Sequence, residues 1–337
     1  MLRDSLTRLI RRLVPAAACI ALSGCYYMHL AAGQLEMNRR REPIADVVAR
    51  EDTDATLRAR LEYAARARDF AMTELGLPDN GSYRSYADLG RRYATWNLFA
   101  APEFSVKPKR WCFPVAGCVT YRGYFDEDRA TRAALRQKRR GLDVHVGPSI
   151  AYSTLGHLQD PVLSTMLGYG DAELAAFIIH ELAHQAVYAP SDSDFNEAFA
   201  TVAETEGLRR WLDRVERTAE LDAFLNARGR QQAAAEKMVE TRARLAALYA
   251  SGAAEEQLRA GKAAELARLG EALKADGLPV NGDLNNARLA AVATYQRCVP
   301  ALTAELARLD NNLPAFYAAM KAVSRDTAAR TKLCPRS

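Results

Sequence analysis

The chain has 337 residues, of which 49% are hydrophobic, 26% charged and 8% aromatic. That balance excludes a disordered or collagen-like polymer and supplies apolar material for one large domain or two small ones. Four arginines and one aspartate in the first 24 residues account for +3 of the net +5, leaving about +2 on the other 313, so no basic field marks nucleic acid as a partner.

In chain order, residues 1–24 predict a secretory leader. Arg3, Arg8, Arg11 and Arg12 precede an apolar run over residues 13–23, too short for a stable membrane span. Leu22-Ser23-Gly24-Cys25 resembles the bacterial lipoprotein lipobox. The resemblance implies cleavage after Gly24, acylation of Cys25 and a mature protein anchored to the membrane on the periplasmic side. Tyr26 stands where an aspartate would hold a lipoprotein in the inner membrane, which by the same resemblance favours the outer membrane; an ordinary signal peptide is the competing reading. An exported chain meets oxidising conditions, and Cys112, Cys118, Cys298 and Cys334 form an even set. Of the three possible connectivities, Cys112–Cys118 with Cys298–Cys334 is the most local; a four-thiolate metal site would need closer spacing.

Residues 33–80 read as helix, with Leu57, Leu61, Ala64, Ala65 and Phe70 near helical spacing and Pro78-Asp79-Asn80-Gly81 as the closing turn. From Trp96 to Ile150 the pattern turns to β. Strands are expected over residues 111–115 and 119–125 around a turn at Gly117, and over 142–146 and 150–154 as a pair or one interrupted strand. Beyond Gly170 nearly everything reads as helix: the Ala/Glu/Arg/Leu-rich stretch 206–275 as a packed antiparallel pair, a break over 277–282, and a last helical stretch from 285 to 328. The expected architecture is α+β and predominantly helical. A catalytic region spans residues 25–215, with a small antiparallel sheet beside its central helix, and a C-terminal helical lobe spans 216–337.

The chemistry concentrates at His180-Glu181-Leu182-Ala183-His184. On a helix the two histidines lie one turn apart on one face and can bind one cation, while Glu181 is rotated by about 100°. With five histidines in the chain, such a pattern arises by chance in on the order of one in two hundred sequences. A zinc with an open catalytic position needs a third protein ligand, and Glu197 in Asn196-Glu197-Ala198-Phe199-Ala200 supplies it from a second helix, after a turn at residues 190–194. Expected roles are one Zn2+ on His180, His184 and Glu197, and Glu181 as the base that deprotonates a water. Glu204, seven residues beyond Glu197, is expected to orient a histidine ligand. His145 and His157 are candidates to line the cleft.

These two segments resemble the gluzincin metallopeptidases, particularly the aminopeptidase-N type, whose second motif reads Asn-Glu-Gly-Phe-Ala. This chain departs from the pattern in spacing: only 12 residues separate His184 from Glu197, a shorter connector than in that family. Gluzincins also use a tyrosine or histidine on the oxyanion, and Tyr295 is the candidate that this resemblance suggests. A closer resemblance runs along the mature chain. The lipobox with Gly33-Gln34-Leu35, residues 113–119, Tyr121-Arg122-Gly123-Tyr124-Phe125, residues 160–165 and Asn285-Asn286-Ala287-Arg288-Leu289 are similar to a bacterial family of predicted aminopeptidases, exported and zincin-like. It implies a zinc peptidase, with a peptide or protein as substrate and the membrane as a partner through Cys25. The amine-binding Gly-x-Met-Glu-Asn segment of aminopeptidase-N-type enzymes has no counterpart, and the region in its place, 142–156, offers only Asp143 as an acid. An endopeptidase of envelope proteins and a zinc-stabilised, non-catalytic envelope binding protein are therefore the alternatives.

Overall fold

The computed structural model describes residues 26–113, 117–154, 157–278, 282–293 and 298–334. Cys25, Tyr295 and the leader lie outside them. Among the described residues helices predominate, with three small sheets, consistent with an α+β chain.

The expected first helical segment is three helices, with a strand between the first two. Helix α1 covers residues 26–39, β1 covers Arg41–Pro43, α2 Ile44–Ala49 and α3 Ala55–Thr73. Pro43 fixes an extended backbone at the start of α2, and Asp54 caps α3 by accepting from the Leu57 N–H. Both are breaks that averaged periodicity smooths over. β1 pairs antiparallel with β2 (Ser85–Ala87), which pairs parallel with β8 (Val162–Leu163).

The second sheet has the order β6-β3-β7, with β3 (Thr95–Pro102) antiparallel to both β6 (Tyr121–Tyr124) and β7 (Leu142–Ser149). β4 (Trp111–Phe113) and β5 (Gly117–Val119) form a separate hairpin in which Cys112 faces Cys118, and a disulfide joins them. Cys298 is likewise joined to Cys334, so the local pairing is the one found. Two expectations need correction. Residues 150–154 are not a strand, because β7 is one continuous strand ending at Ser149. Between β6 and β7 lies a helix, α4 (Glu127–Lys138), that hydrophobic patterning missed because only small residues (Ala130, Ala133 and Ala134) are buried on it. Its signals are terminal: the Asp126 cap, acids in the first turn and bases in the last.

Alternation along β3 gives this sheet two faces. Trp96 and Leu98 pack with Tyr124 and the alanines of α4. Phe99 and Ala101 point the other way, toward Ala287 of α9 (Asn286–Ala293), with Tyr121 and His145 beside Phe99. The asparagine pair at the start of α9 fixes that packing. Asn285 donates to the Val144 carbonyl, Asn286 Nδ2 to the Pro102 and Glu103 carbonyls, and the Asn286 N–H to Asp143.

The rest is helical: α5 (Asp171–Ala186), α6 (Ser193–Arg214), α7 (Ala219–Tyr249), α8 (Glu255–Ala275), α10 (Val299–Arg308), α11 (Leu313–Arg325) and α12 (Thr327–Leu333). The largest buried cluster holds residues from Met37 to Cys334, so Leu302, Leu313 and Phe316 share a core with Leu174, Ile178 and Phe199.

Candidate metal centre

The site is built on α5 and α6. Helix α5 is apolar nearly all round, with Leu174, Ile178, Ile179 and Leu182 fully buried, so its polar residues must find partners inside the protein. Arg60 and Arg217 both bind Asp171 in its first turn and fix its N-terminus. After Ala186 the chain turns back within six residues. Asn196 closes this turn: its Oδ1 accepts the Ala189 N–H at 2.7 Å and its Nδ2 donates to the Ala189 carbonyl at 2.9 Å. Asp192 caps α6 and is held by Arg330 of α12. Gly207 lets the two helices approach, since a Cβ there would stand 2.7 Å from Leu75 Cδ1 and 3.0 Å from Ile179 Cγ2.

The short connector thus returns Glu197 to the histidines. Glu197 Oε2 lies 3.4 Å from His180 Nε2 and 3.8 Å from His184 Nε2, and one donor atom from each residue falls within 4.8 Å of the others. Two ligands at about 2.0–2.1 Å from a tetrahedral zinc stand roughly 3.4 Å apart, so the two Glu197 separations are close to those around such an ion, and the three donors can share it once the widest pair closes in. The donor set, two imidazole nitrogens and a carboxylate, is that of a catalytic zinc.

The electrostatics also favour a cation. Burial pushes the His180 imidazolium down, but hydrogen bonds to Glu197 and Glu204 outweigh it and hold His180 at about 10. Burial and the neighbouring His180 charge push His184 down to about 4. Glu181 is raised to about 7, first by burial, against the pull of His180, with the Glu197 charge adding to the rise. Glu204 is 1% exposed; its Oε2 sits 2.9 Å from His180 Nδ1 and its other oxygen meets Arg228 of α7. His180 Nδ1 is thereby fixed as the donor, leaving Nε2 turned to Glu197.

Sequence reasoning assigned Tyr121 no role, yet this half-buried tyrosine feels the charges of Glu197, Tyr188 and Glu181, and desolvation first, then those groups, raises its phenol well above the usual range. It opens the Tyr121-Arg122-Gly123 stretch, and alternation puts Tyr121 and the side-chain-free Gly123 on the same face of β6. Its ring packs on Phe99 with centroids 5.7 Å apart. His145 lies across β3 from Tyr121, packed on the other side of Phe99 and lowered to about 4 by burial and Arg288. His157 is exposed. Asp143 is engaged with Lys262 at 2.7 Å and with the Asn286 N–H at 2.9 Å.

No curated protein and no solved structure matches this chain. A family model described as "Putative aminopeptidase" matches residues 25–333, and the chain belongs to that family.

Proposed function

We propose that the protein is a zinc-dependent peptidase that cleaves peptide bonds with a metal-activated water, an aminopeptidase as its family's description states, anchored in the envelope through acylated Cys25. The observation that carries the proposal is the convergence of His180, His184 and Glu197 donor atoms within 4.8 Å, with a half-buried glutamate, Glu181, on the same helix as the histidines. A purely structural metal site has no use for that base.

Zinc, when bound, would acidify a water and polarise the scissile carbonyl. Glu181 takes a proton from the attacking water and passes it to the departing amine; its rise to about 7 suits both roles near neutral pH. Tyr121 supplies a phenol O–H to the developing oxyanion, a role the sequence reading gave to Tyr295. Glu204, backed by Arg228, holds the His180 ring in place.

A second reading, an endopeptidase of envelope proteins, gains from Asp143. The one acid of the segment expected to hold a substrate amine is occupied by Lys262 and α9. Hydrolysis of aminoacyl-p-nitroanilides against N-blocked, internally quenched peptides separates the two. The proposal predicts activity on at least one class, abolished by Glu181→Gln with zinc retained. Undiminished turnover by that variant removes Glu181 from the mechanism, and preference for blocked peptides selects the endopeptidase.

A further inference from the structure

Glu181 sits in an environment that does not by itself hold a carboxylate in one orientation. It is half-buried, and two neighbouring anions, Glu197 and Asp160, repel it. A base that must meet a water and then a leaving amine needs a fixed direction, so some neutral donor has to supply it. A Lys or Arg would orient the carboxylate too, but the ion pair would weaken it as a base.

The segment leaving β7 supplies such a donor. The Ser153 hydroxyl is in contact with both the Glu181 carboxylate and the Tyr83 phenol, and its hydrogen bond to Asp160, donated to Oδ2, is long at 3.3 Å. Asp160, 2% exposed, already accepts the Thr154 N–H at 2.9 Å and the Thr154 hydroxyl at 2.8 Å. It therefore holds the backbone of this segment without needing the Ser153 proton. Tyr83, also 2% exposed, adopts the left-handed backbone region with φ of 63°, a conformation a tyrosine keeps only when its surroundings impose it. The imposition is visible: the Tyr83 N–H donates to the Asp160 carbonyl at 2.6 Å, and the Asp160 N–H to Ser82 Oγ at 3.3 Å. The strained turn carries the phenol of Tyr83 onto Ser153.

We propose that Ser153, held by Tyr83 and by the backbone that Asp160 anchors through Thr154, is the positioning residue for Glu181: Tyr83 donates to the Ser153 oxygen, and Ser153 turns its one proton from Asp160 to the Glu181 carboxylate and fixes its direction. This rests on the peptidase reading for its consequence, though the contacts stand without it.

The test uses the zinc-loaded mature chain with Ser153→Ala, Ser153→Thr, Glu181→Gln and the Ser153→Ala/Glu181→Gln double variant. The expected result for Ser153→Ala is a fall in kcat of about 10–100-fold, with KM within about twofold and unchanged zinc content. Ser153→Thr, which keeps the hydroxyl, restores most of the rate, and the double variant is no slower than Glu181→Gln alone. Binding of acetohydroxamate, which chelates zinc and gives its proton to a neighbouring carboxylate, reads the same contact without turnover. Ser153→Ala and Glu181→Gln should each weaken it by about tenfold and the pair by no more. A Ser153→Ala protein with wild-type kcat or wild-type hydroxamate affinity overturns the inference, as does a full additional loss in the double variant. A wild-type chain that binds hydroxamate through Glu181 and Ser153 yet cleaves no peptide overturns the peptidase reading alone; a chain that takes up no zinc overturns both.

Discussion

Among single residues, the histidines carry opposite protonation tendencies, and this yields a pH signature. His180 in the metal-free chain is held at about 10 against an ordinary 6.5, so it contributes stability that is complete below about pH 6.5 and is lost as the pH rises toward 10. His184 and His145, both lowered to about 4, act in the other direction: the unfolded chain binds their protons first, and stability is lost as the pH falls from 6.5 to 4. Thermal unfolding in chelator across pH 4–10 should therefore give a maximum near neutrality. A curve still rising at pH 9 contradicts the buried His180–Glu204 pair. Metal uptake at pH 7 must displace the His180 proton, so calorimetry in buffers of different ionisation enthalpy should show release of about one proton per zinc. Glu204→Ala, which frees the His180 ring, should weaken zinc binding by about 10–100-fold in chelator competition, whereas unchanged affinity would leave Glu204 with no part in the metal site.

Helices α5 and α6 act as one device, and their close approach at Gly207 is a steric requirement. Gly207→Val would drive its side chain into Leu75 and Ile179. We expect a loss of about 1–3 kcal/mol in urea unfolding, with weaker zinc retention because Glu197 rides on α6. The histidine helix was legible in the sequence because its signal is local: His180 and His184 one turn apart, and a buried apolar helix around them. The return of Glu197 through a short connector was also legible, as a requirement for a third ligand. Less legible was how the turn is made, by Asn196 folding back onto Ala189, since a side chain bonding to backbone seven residues away leaves no pattern. α4 was missed for a related reason, its core face being alanine and its signals lying only at the caps. Tyr121 and Ser153 come to the site through strand pairing and a strained turn at Tyr83, long-range geometry that no local window contains.

Across the whole molecule, the core joins the C-terminal helices to α5 and α6. Phe316 stacks on Phe199 at 5.5 Å between ring centroids, two residues beyond Glu197, and Arg228 of α7 reaches Glu204. The Cys298–Cys334 disulfide spans 36 residues of this region, and constraining a loop of that length in the unfolded chain is worth about 3–4 kcal/mol. Reduction should therefore lower the melting temperature more than Cys112→Ser/Cys118→Ser does; an equal effect would place the stabilisation elsewhere. Among the described residues no helix is long and apolar enough to cross a membrane. Metal content of the chain from residue 26 to residue 337 tests the proposed three-ligand centre. We predict about one zinc per wild-type chain, and little retained by Glu197→Ala after dialysis against a weak chelator. A folded, zinc-supplied wild-type protein that holds no metal, or a Glu197→Ala variant that holds it equally well, would contradict the claim.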